Sequence, residues 1–307
     1  MKTMKSIGNS KLIRSIWDPF YGASKLLHRC SPLVKNDETY VKLDYFFSMK
    51  KKLDLNNPKT FNEKLQWLKL NNRNKQYSLL VDKYQVKEYV GEILGKDYII
   101  PTIGVWNSFD EIDFDSLPNQ FVLKCTHDSG GLIVCCDKIS LDREKAREKI
   151  EKCLKRDYYM GTREYPYKDV PHRIIAEKYM TNDDSSPELT DYKFFCFDGY
   201  VDCVMVCLDR HLNDTKFYFF NKDWELLRLN IRGKKAPEGF TIPKPKTMDE
   251  MFAIASQLSK GMKFVRIDLY EIRGHVYFGE YTFFPDSGLD SNLLPETDRY
   301  FGDLIKL

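Results

Sequence analysis

The chain has 307 residues, 42% of them hydrophobic and 30% charged, which suits one enzyme-sized unit of two or three packed subdomains. Its 48 basic and 45 acidic residues give a formal net charge of +3, too balanced to suggest nucleic acid as a partner. No apolar stretch approaches the roughly 18 residues of a membrane-spanning helix, and no Cys-x-x-Cys pair occurs among the eight cysteines, so a cytoplasmic protein with reduced cysteines is expected.

Residues 1–57 are predicted to form an N-terminal helical arm ahead of a catalytic unit at 58–307. Within the arm, residues 11–27 mix basic side chains with Leu, Ile, Trp and Phe, so they are a candidate for peripheral contact with the inner face of the membrane. Pro19 and Gly22 interrupt any long helix there, which favours an arm packed on the protein.

Two helices are predicted after the arm. Thr60 and Glu63 form a capping box, in which each side chain accepts a hydrogen bond from the other residue's backbone N–H, and an apolar helical face follows. The second helix is predicted over 76–94, and Gly95 ends it.

The rest of the chain alternates short apolar runs with turn signals, which predicts strands with helices between them. The predicted strands cover 98–100, 120–124, 132–136, 173–177, 192–197, 200–208, 216–220, 224–229, 264–270 and 275–280. Helices are predicted over 142–156 and 248–260, and a tyrosine-rich loop over 158–169. Asp198-Gly199 and Arg273-Gly274 mark hairpin turns, and helices together with antiparallel strands indicate an α+β fold class.

Asp268 and Glu280 lie in strands that are otherwise apolar. If those strands pair across Arg273-Gly274, the two carboxylates come close together, where their repulsion and burial need compensation. A hard divalent cation such as Mg²⁺ would provide it. The alternative is a structural ion pair of one carboxylate with Arg266 or Arg273.

Lys124 ends a predicted strand and is followed by a glycine loop at 126–131. Glycine lets backbone N–H groups approach phosphate oxygens, and lysine adds positive charge, so this arrangement predicts a phosphate site. A plain hairpin is the alternative, because the Walker-type Gly-Lys-Ser/Thr spacing is missing from the sequence.

Two further features indicate a bound nucleotide or another anion. Residues 177–180 directly follow a strand, where backbone N–H and C=O groups suit an adenine edge, although a plain strand end with a salt bridge is the alternative. Lys193 and Arg210 lie in or after apolar strands, where a lone cation is expected to have an anionic partner.

In this order, these residues resemble the ATP-grasp superfamily, and more closely its TupA-like branch, over about residues 55–306. The resemblance rests on residues 58–67 (PKTFNEKLQW), 80–84 (LVDKY), 124–130 (KCTHDSG), 191–197 (DYKFFCF) and 279–283 (GEYTF). It implies an ATP-grasp fold, in which two α+β subdomains, here about 120–180 and 181–307, clasp ATP.

The resemblance also implies roles for individual residues. It assigns the phosphates to Lys83, Lys124, Lys193, Ser129, Gly130 and Gly131. It assigns adenine to Glu177, Lys178, Tyr179 and Met180, and the ribose to Asp183 or Asp191. It assigns Mg²⁺ to Asp268, Glu280 and Thr282. Because Thr282 stands where ATP-grasp enzymes usually have Asn, the number of bound Mg²⁺ ions is left at one or two.

The implied activity is ATP-dependent carboxylate–amine ligation through an acyl phosphate. Arg210 is the candidate for stabilising the oxyanion, and His127 for contacting the γ-phosphate or the acceptor, with a solvated loop histidine as its alternative. The implied substrates are a uronate and an amino acid or small amine, in capsule or cell-surface polysaccharide synthesis. The glycine loop and 158–169 are candidate lids, and the tyrosines suit either sugar stacking or core packing.

Three other functions fit the same sequence. A glycosyltransferase would use the Asp-x-Asp at 113–115 to bind a metal and a nucleotide sugar, although that acidic stretch is more typical of a solvated connector. A saccharide kinase would stop at phosphoryl transfer. A non-catalytic module would bind ATP without turning it over.

Overall fold

Two antiparallel β-sheets with helices packed on them make up the described part of the chain, so the predicted α+β class is confirmed. The computed structural model describes residues 18–182, 189–208 and 215–307. Asp183, Arg210 and the first part of the candidate membrane segment 11–27 therefore lie outside the described residues.

The helices begin in the arm and recur between the strands. They are α1 (Pro19–Arg29), α2 (Asp37–Met49), α3 (Phe61–Asn71), α4 (Gln76–Val81), α5 (Gln85–Leu94), α6 (Arg143–Leu154), α7 (Tyr158–Thr162), α8 (Ile231–Lys234), α9 (Met248–Leu258) and α10 (Pro295–Leu304). The predicted capping box begins α3, because the Thr60 hydroxyl accepts from the Glu63 N–H and the Glu63 carboxylate accepts from the Thr60 N–H. None of the described helices is long and apolar enough to cross a membrane.

The single helix predicted over 76–94 is wrong, because the chain breaks between α4 and α5. Asp82 leaves the helical region, with φ −70° and ψ 112°. Its Oδ1 accepts a hydrogen bond from the Tyr84 N–H at 2.9 Å, and its Oδ2 accepts one from Arg173 at 2.7 Å. A carboxylate that binds nearby backbone N–H groups competes with helix continuation, so the apolar spacing alone overestimated the helix.

The strand predicted over 98–100 is also wrong in its position. Tyr98 ends a short 3-10 turn, and Ile99 makes only an isolated parallel bridge to Phe278. The regular strand starts after Pro101, at Thr102. Proline has no backbone N–H to donate to a strand ladder, so it stands at the boundary of the strand.

The smaller sheet has four strands. They are β1 (Thr102–Trp106), β2 (Phe121–Cys125), β3 (Leu132–Cys135) and β4 (Ile174–Lys178), in the order β1-β4-β2-β3. Alternate side chains such as Phe121 and Leu123 are buried in a core that includes Ala146 and Ile150 of α6. Because side chains alternate along a strand, Lys124 and Glu177 project from the opposite face.

The larger sheet has six strands. They are β5 (Asp191–Phe197), β6 (Tyr200–Leu208), β7 (Lys216–Phe220), β8 (Leu226–Leu227), β9 (Val265–Ile272) and β10 (His275–Thr282), in the order β10-β9-β5-β6-β7-β8. Both predicted hairpin turns are confirmed: φ is 50° and 84° at Asp198-Gly199, and 53° and 78° at Arg273-Gly274. Positive φ at both central residues is the geometry that matches the twist of the flanking strands.

Each sheet has its own apolar core, and the larger one joins the six-stranded sheet to α3, α9 and α10. The smaller sheet takes β1 from ahead of the predicted subdomain start near residue 120. The domain boundaries themselves stay a prediction. All eight cysteines are free in the structure.

Candidate active site

A cavity of about 240 Å³ lies between the two sheets and brings together residues from distant parts of the sequence. The predicted site residues that line it are Lys83, Lys124, Ser129, Gly130, Gly131, Glu177, Asp191, Lys193 and Glu280. Its walls also include Lys87 and the apolar side chains of Val86, Ile99, Leu132 and Phe278. The cavity is therefore lined by charged and apolar side chains together, a combination that suits a nucleotide.

Two lysines share one carboxylate on the side of the cavity formed by the smaller sheet. Lys124 on β2 and Lys87 on α5 each approach a different oxygen of Glu177 at 2.5 Å. Lys87 also donates to the carbonyl of Ile100 at 2.7 Å. Burial alone would raise the pKa of Glu177, but the two lysine charges outweigh it and lower the pKa to about 2. Glu177 is therefore ionised over the physiological range.

The final hairpin brings the two predicted metal carboxylates together. Asp268 on β9 pairs directly with Glu280 on β10, because the register shifts between Phe278 and Glu280. Gly279 occupies the shift, where a Cβ atom would lie 2.8 Å from the Asp268 carbonyl oxygen. The glycine thus allows a close backbone approach that places both carboxylates on one side.

Arg266 lies among the three predicted metal ligands. Its guanidinium donates to both oxygens of Asp268 at 2.7 Å, to Thr282 Oγ1 at 3.1 Å, and lies 3.5 Å from a Glu280 oxygen. The ion pair between Asp268 and Arg266, which the sequence left open as an alternative, is therefore present. Because the pairing leaves Glu280 partly exposed, it is compatible with a cation that binds between Glu280 and a bound phosphate.

Lys193 extends the same network from the neighbouring strand β5. Its Nζ contacts the carboxylates of both Asp191 and Asp268. Burial would raise the pKa of Glu280, but the charges of Lys193, Lys83 and Arg266 outweigh it and lower that pKa. The Glu280 carboxylate is thus held in its charged form by the surrounding cations.

The glycine loop is attached to the helical part of the chain through Lys83. Lys83 Nζ donates to the carbonyl of Asp128 at 2.5 Å, and its backbone N–H donates to the carbonyl of Thr126 at 3.1 Å. Gly130 has φ 129°, a conformation that side chains disfavour. The loop therefore combines a glycine backbone with an adjacent lysine, the arrangement expected of a phosphate site.

His127 lies away from the cavity, although the sequence placed it with the catalytic residues. Its side chain is only 1% exposed, and its ring stacks on that of His172 at 3.7 Å. Nε2 lies 3.2 Å from the carbonyl of Cys153, near the end of α6. Burial and the neighbouring His172 lower its pKa. This position favours anchoring of the glycine loop, and substrate contact by His127 stays a prediction.

Of the predicted adenine segment only Glu177 lines the cavity, and the other three residues line separate depressions. Lys178 and Met180 line a shallow depression with His275, and Tyr179 lines another with Pro101. The Lys178 N–H already donates to the Pro101 carbonyl at 3.0 Å. A nucleotide base at this edge would therefore have to use other backbone groups of the segment.

Sequence reasoning missed Lys87 and gave Arg266 only a structural role. Lys87 follows Lys83 by one helical turn, so an i, i+4 lysine pair was the available signal. Arg266 precedes Asp268 by two residues and so shares its face of the strand, but it was considered only as an ion-pair partner. The acidic stretch 113–115 does not line the cavity, and Phe114 between its two aspartates is buried in the smaller core.

The donor set fits a Mg²⁺ ion that is shared with phosphates. In residues 18–182, 189–208 and 215–307, no cluster of three or more His, Cys, Asp or Glu side chains could enclose a metal. Mg²⁺ in nucleotide sites takes one or two carboxylates and fills its other positions with water and phosphate oxygens. Glu280, whose side chain is 44% exposed, offers one such carboxylate, whereas both Asp268 oxygens are already engaged by Arg266 and Lys193, so metal binding by Asp268 stays a prediction.

Comparison with known proteins identifies one family. The family model described as TupA-like ATPgrasp matches residues 63–306. A search of curated proteins found no match. Among solved structures, D-alanine–D-alanine ligase from Bacillus anthracis in complex with ATP is similar over 74% of this chain and 65% of its own, with 16% identity and a TM-score of 0.44.

Two more solved structures are similar to a comparable extent. The ATP-grasp ligase PsnB with its minimal precursor matches 72% of this chain and 59% of its own, with 9% identity and a TM-score of 0.40. D-alanine–D-alanine ligase from Helicobacter pylori matches 80% of this chain and 69% of its own, with 14% identity and a TM-score of 0.43. The chain thus spans 65% and 59% of the length of the Bacillus ligase and PsnB.

Proposed function

Because the chain belongs to the TupA-like ATP-grasp family, we propose that it is an ATP-dependent ligase that joins a carboxylate to an amine. The observation that carries the proposal is the shared cavity, in which lysines from the smaller sheet and α5 face Glu280 across a common space. Phosphates need cations on one side and a metal-binding carboxylate on the other, and this cavity offers both.

The proposed reaction has two steps. The substrate carboxylate attacks the γ-phosphorus of ATP, the bond to the ADP oxygen breaks, and an acyl phosphate forms. The amine nitrogen then attacks the acyl carbon, the carbon–oxygen bond to phosphate breaks, and the products are an amide, phosphate and a proton. When bound at Asp268 and Glu280, Mg²⁺ would offset the charge of the phosphate oxygens.

The residues of the chain supply binding and charge compensation in this scheme. Lys83, Lys124 and Lys193 would hold the phosphates, because all three line the cavity. Arg266 is a candidate for stabilising the oxyanion, since its guanidinium contacts Asp268 and Thr282 beside the cavity. Arg210, outside the described residues, stays a second candidate for that role. The glycine loop would exclude water by covering the phosphates.

We assign the carboxylate to a uronic acid and the amine to an amino acid or small amine, in cytoplasmic synthesis of a cell-surface polysaccharide. The support is the motif resemblance together with the tyrosine-rich segment near Glu280. The rings of Tyr158 and Tyr167 lie 4.6 Å apart. The charge of Glu164, burial and then the charge of Glu280 raise the pKa of Tyr158. Aromatic faces of this kind suit the apolar faces of sugars.

The test is an ADP-release assay over a panel of uronates crossed with amino acids, with mass detection of the product. A ligase releases phosphate only when both substrates are present and yields the amide. A product phosphorylated on the sugar, formed without the amine, would instead indicate a saccharide kinase. Transfer from a UDP-sugar without ATP would indicate a glycosyltransferase.

Two variants test the site in that assay. Lys124→Ala and Glu280→Gln are expected to lower ADP formation by at least about 100-fold, because each removes a charge that opposes phosphate or metal charge. Lys145→Ala, on the exposed face of α6, is the matched control and is expected to keep full activity. Circular dichroism shows whether each variant is folded. Full turnover by a folded Lys124→Ala or Glu280→Gln variant would contradict the site.

A further inference from the structure

Arg163 is buried although it belongs to the tyrosine-rich segment 158–169, and only 1% of its surface is exposed. Its Nη2 donates to the carbonyls of Ser31 and Val34 at 3.0 and 2.6 Å, and Nη1 donates to the carbonyl of Met160 at 2.6 Å. Nε lies 3.1 Å from Asp37 Oδ1. One guanidinium thus joins the N-terminal arm to the segment through several charge-assisted contacts.

Two tyrosines strengthen the same contact. The buried Tyr40 hydroxyl donates to the carbonyl of Gly161 at 2.8 Å, and the Tyr159 hydroxyl donates to Asp37 at 2.6 Å. The Arg163 guanidinium lies 4.4 Å from the centre of the Tyr40 ring. These hydrogen bonds and the cation–π contact come from α2 on one side and α7 on the other, so we call the whole contact the arm clasp.

The opposite side of the segment contacts the chain that leaves the final hairpin. The Ser287 hydroxyl donates to Glu164 at 2.9 Å, and Lys69 donates both to the Thr162 carbonyl at 3.0 Å and to the Ser287 carbonyl at 2.8 Å. Ser287 and its neighbour Asp286 have φ 55° and 48°, which is rare for residues other than glycine. A strained turn directly after β10 is thus held by the segment that the arm clasp holds.

From these contacts we propose that Arg163 is a positioning residue, which uses the arm clasp to fix segment 158–169 beside the hairpin of β9 and β10. This is the side of the cavity where the acceptor carboxylate would bind. The proposal rests on the proposed function, because it assigns that side to the carboxylate substrate. Glu164 of the segment accepts a hydrogen bond from Ser287, in the turn that follows β10, so a shift of the segment would move the turn that follows the strand carrying Glu280.

The arm precedes residues 63–306, which the family model matches. None of the described arm residues lines the cavity, so in this proposal the arm acts on the site through the arm clasp. Loops that lack such contacts open locally at little cost in free energy. A substrate binds more tightly to a segment that is already held in its binding conformation, because binding then costs less conformational entropy.

Three conservative variants of the full chain test the arm clasp. Arg163→Lys keeps the charge but loses the planar fork, and Tyr40→Phe and Tyr159→Phe each remove one hydroxyl. Tyr40→Phe is the most conservative of them and guards against a variant that fails to fold. Lys42→Ala is the matched control on α2, because Lys42 pairs with Glu38 on the exposed face of that helix.

The first measurement is amide hydrogen exchange of residues 158–168, which needs no substrate. We expect exchange to become about tenfold faster in the arm-clasp variants and to stay unchanged in Lys42→Ala, since each loss leaves a buried polar group without its partner. The second is steady-state kinetics with the most active uronate of the panel. We expect the KM of the uronate to rise about tenfold, while kcat and the KM of ATP change less than about twofold.

The two measurements separate the proposals. Unchanged exchange in all three arm-clasp variants would overturn the arm clasp, whatever the substrate is. Faster exchange with equal rises in the KM of ATP and of the uronate would also overturn it, because that result indicates general loosening. If no uronate of the panel is a substrate, the proposed substrate class fails, and the exchange result alone decides whether Arg163 positions the segment.

Discussion

Glu177 shows how a single buried carboxylate organises the cationic side of the cavity. Its two oxygens each approach a lysine at 2.5 Å, and its side chain is only 6% exposed. Two lysines this close would repel each other if no carboxylate lay between them. We infer that Glu177 keeps Lys87 and Lys124 in place whenever the cavity holds no phosphate.

The Glu177→Gln substitution tests this role through its pH dependence. The folded pKa of about 2 lies below the ordinary value of 4.5, so the ionised carboxylate stabilises the folded chain at neutral pH. Glutamine is expected to lower the free energy of unfolding by about 3 kcal/mol at pH 7, as for breaking a buried ion pair. Urea unfolding of both proteins measures the difference.

The sign of that pH dependence follows from the direction of the shift. Below a pH of about 4.5 the unfolded state takes up a proton at this position while the folded state does not. The stabilisation is therefore complete above pH 4.5 and is lost as the pH falls towards 2, so the two proteins should converge there. A difference that stays constant between pH 7 and pH 3 would assign the effect to packing instead of charge.

At the scale of elements, the hairpin of β9 and β10 depends on a register shift to bring its two carboxylates together. In a regular two-stranded ladder each residue has one partner, and the shift at Gly279 changes which residue faces Asp268. The carboxylate of Glu280 reaches that position because the backbones approach closely at a residue with no Cβ. The register shift in the hairpin thus sets how close the two predicted metal carboxylates lie.

Gly279→Ala tests whether this close approach matters. An added Cβ would lie 2.8 Å from the Asp268 carbonyl oxygen, so the strands must separate or shift, at a cost of about 1–3 kcal/mol in unfolding free energy. ADP formation should fall more than stability alone explains, because Glu280 moves relative to Asp268. Gly91→Ala in α5 is the control, since its Cβ would meet ordinary contacts at 3.6 Å or more. Equal activity of the two variants would argue against the role of the shift.

The elements that the sequence predicted well are those with a local physical cause. The capping box of α3 and the two hairpin turns depend on residues only a few positions apart. The break at Asp82 accompanies hydrogen bonds of its carboxylate with the Tyr84 N–H and with the distant Arg173, and apolar spacing reveals neither. The start of β1 after Pro101 depends on pairing with β4, which is equally invisible locally.

At the scale of the whole molecule, the candidate site lies between the two sheets, and each sheet contributes some of its lining residues. The order of motifs predicted that lysines and carboxylates converge, and most of the named residues do line one cavity. Lys87 was missed because its role follows from which strands and helices are neighbours. Glu177 was assigned to adenine from its position after a strand, whereas its carboxylate contacts two lysines across the sheet and α5.

A cleft that binds a nucleotide between two sheets should be stabilised as a unit when the nucleotide binds. A non-hydrolysable ATP analogue with Mg²⁺, at about 100 times its Kd, should add about 2.7 kcal/mol to the free energy of unfolding, or roughly 5 °C in Tm. Chelation of Mg²⁺ with EDTA should reduce the gain, because the analogue then loses its contact with Asp268 and Glu280. Thermal unfolding followed by fluorescence measures both effects.

Glu280→Gln provides the decisive comparison for that experiment. If Glu280 holds the metal, the variant should respond to the analogue equally with and without Mg²⁺, while the wild type responds more strongly with it. Lys124→Ala should lose most of the response under both conditions, since it removes a phosphate contact. A Glu280→Gln variant whose Mg²⁺-dependent gain matches that of the wild type would place the metal elsewhere. Lys124 and Glu280 lie on different sheets, so a ligand that bridges the cavity should lose most of its effect in Lys124→Ala and the Mg²⁺-dependent part of its effect in Glu280→Gln.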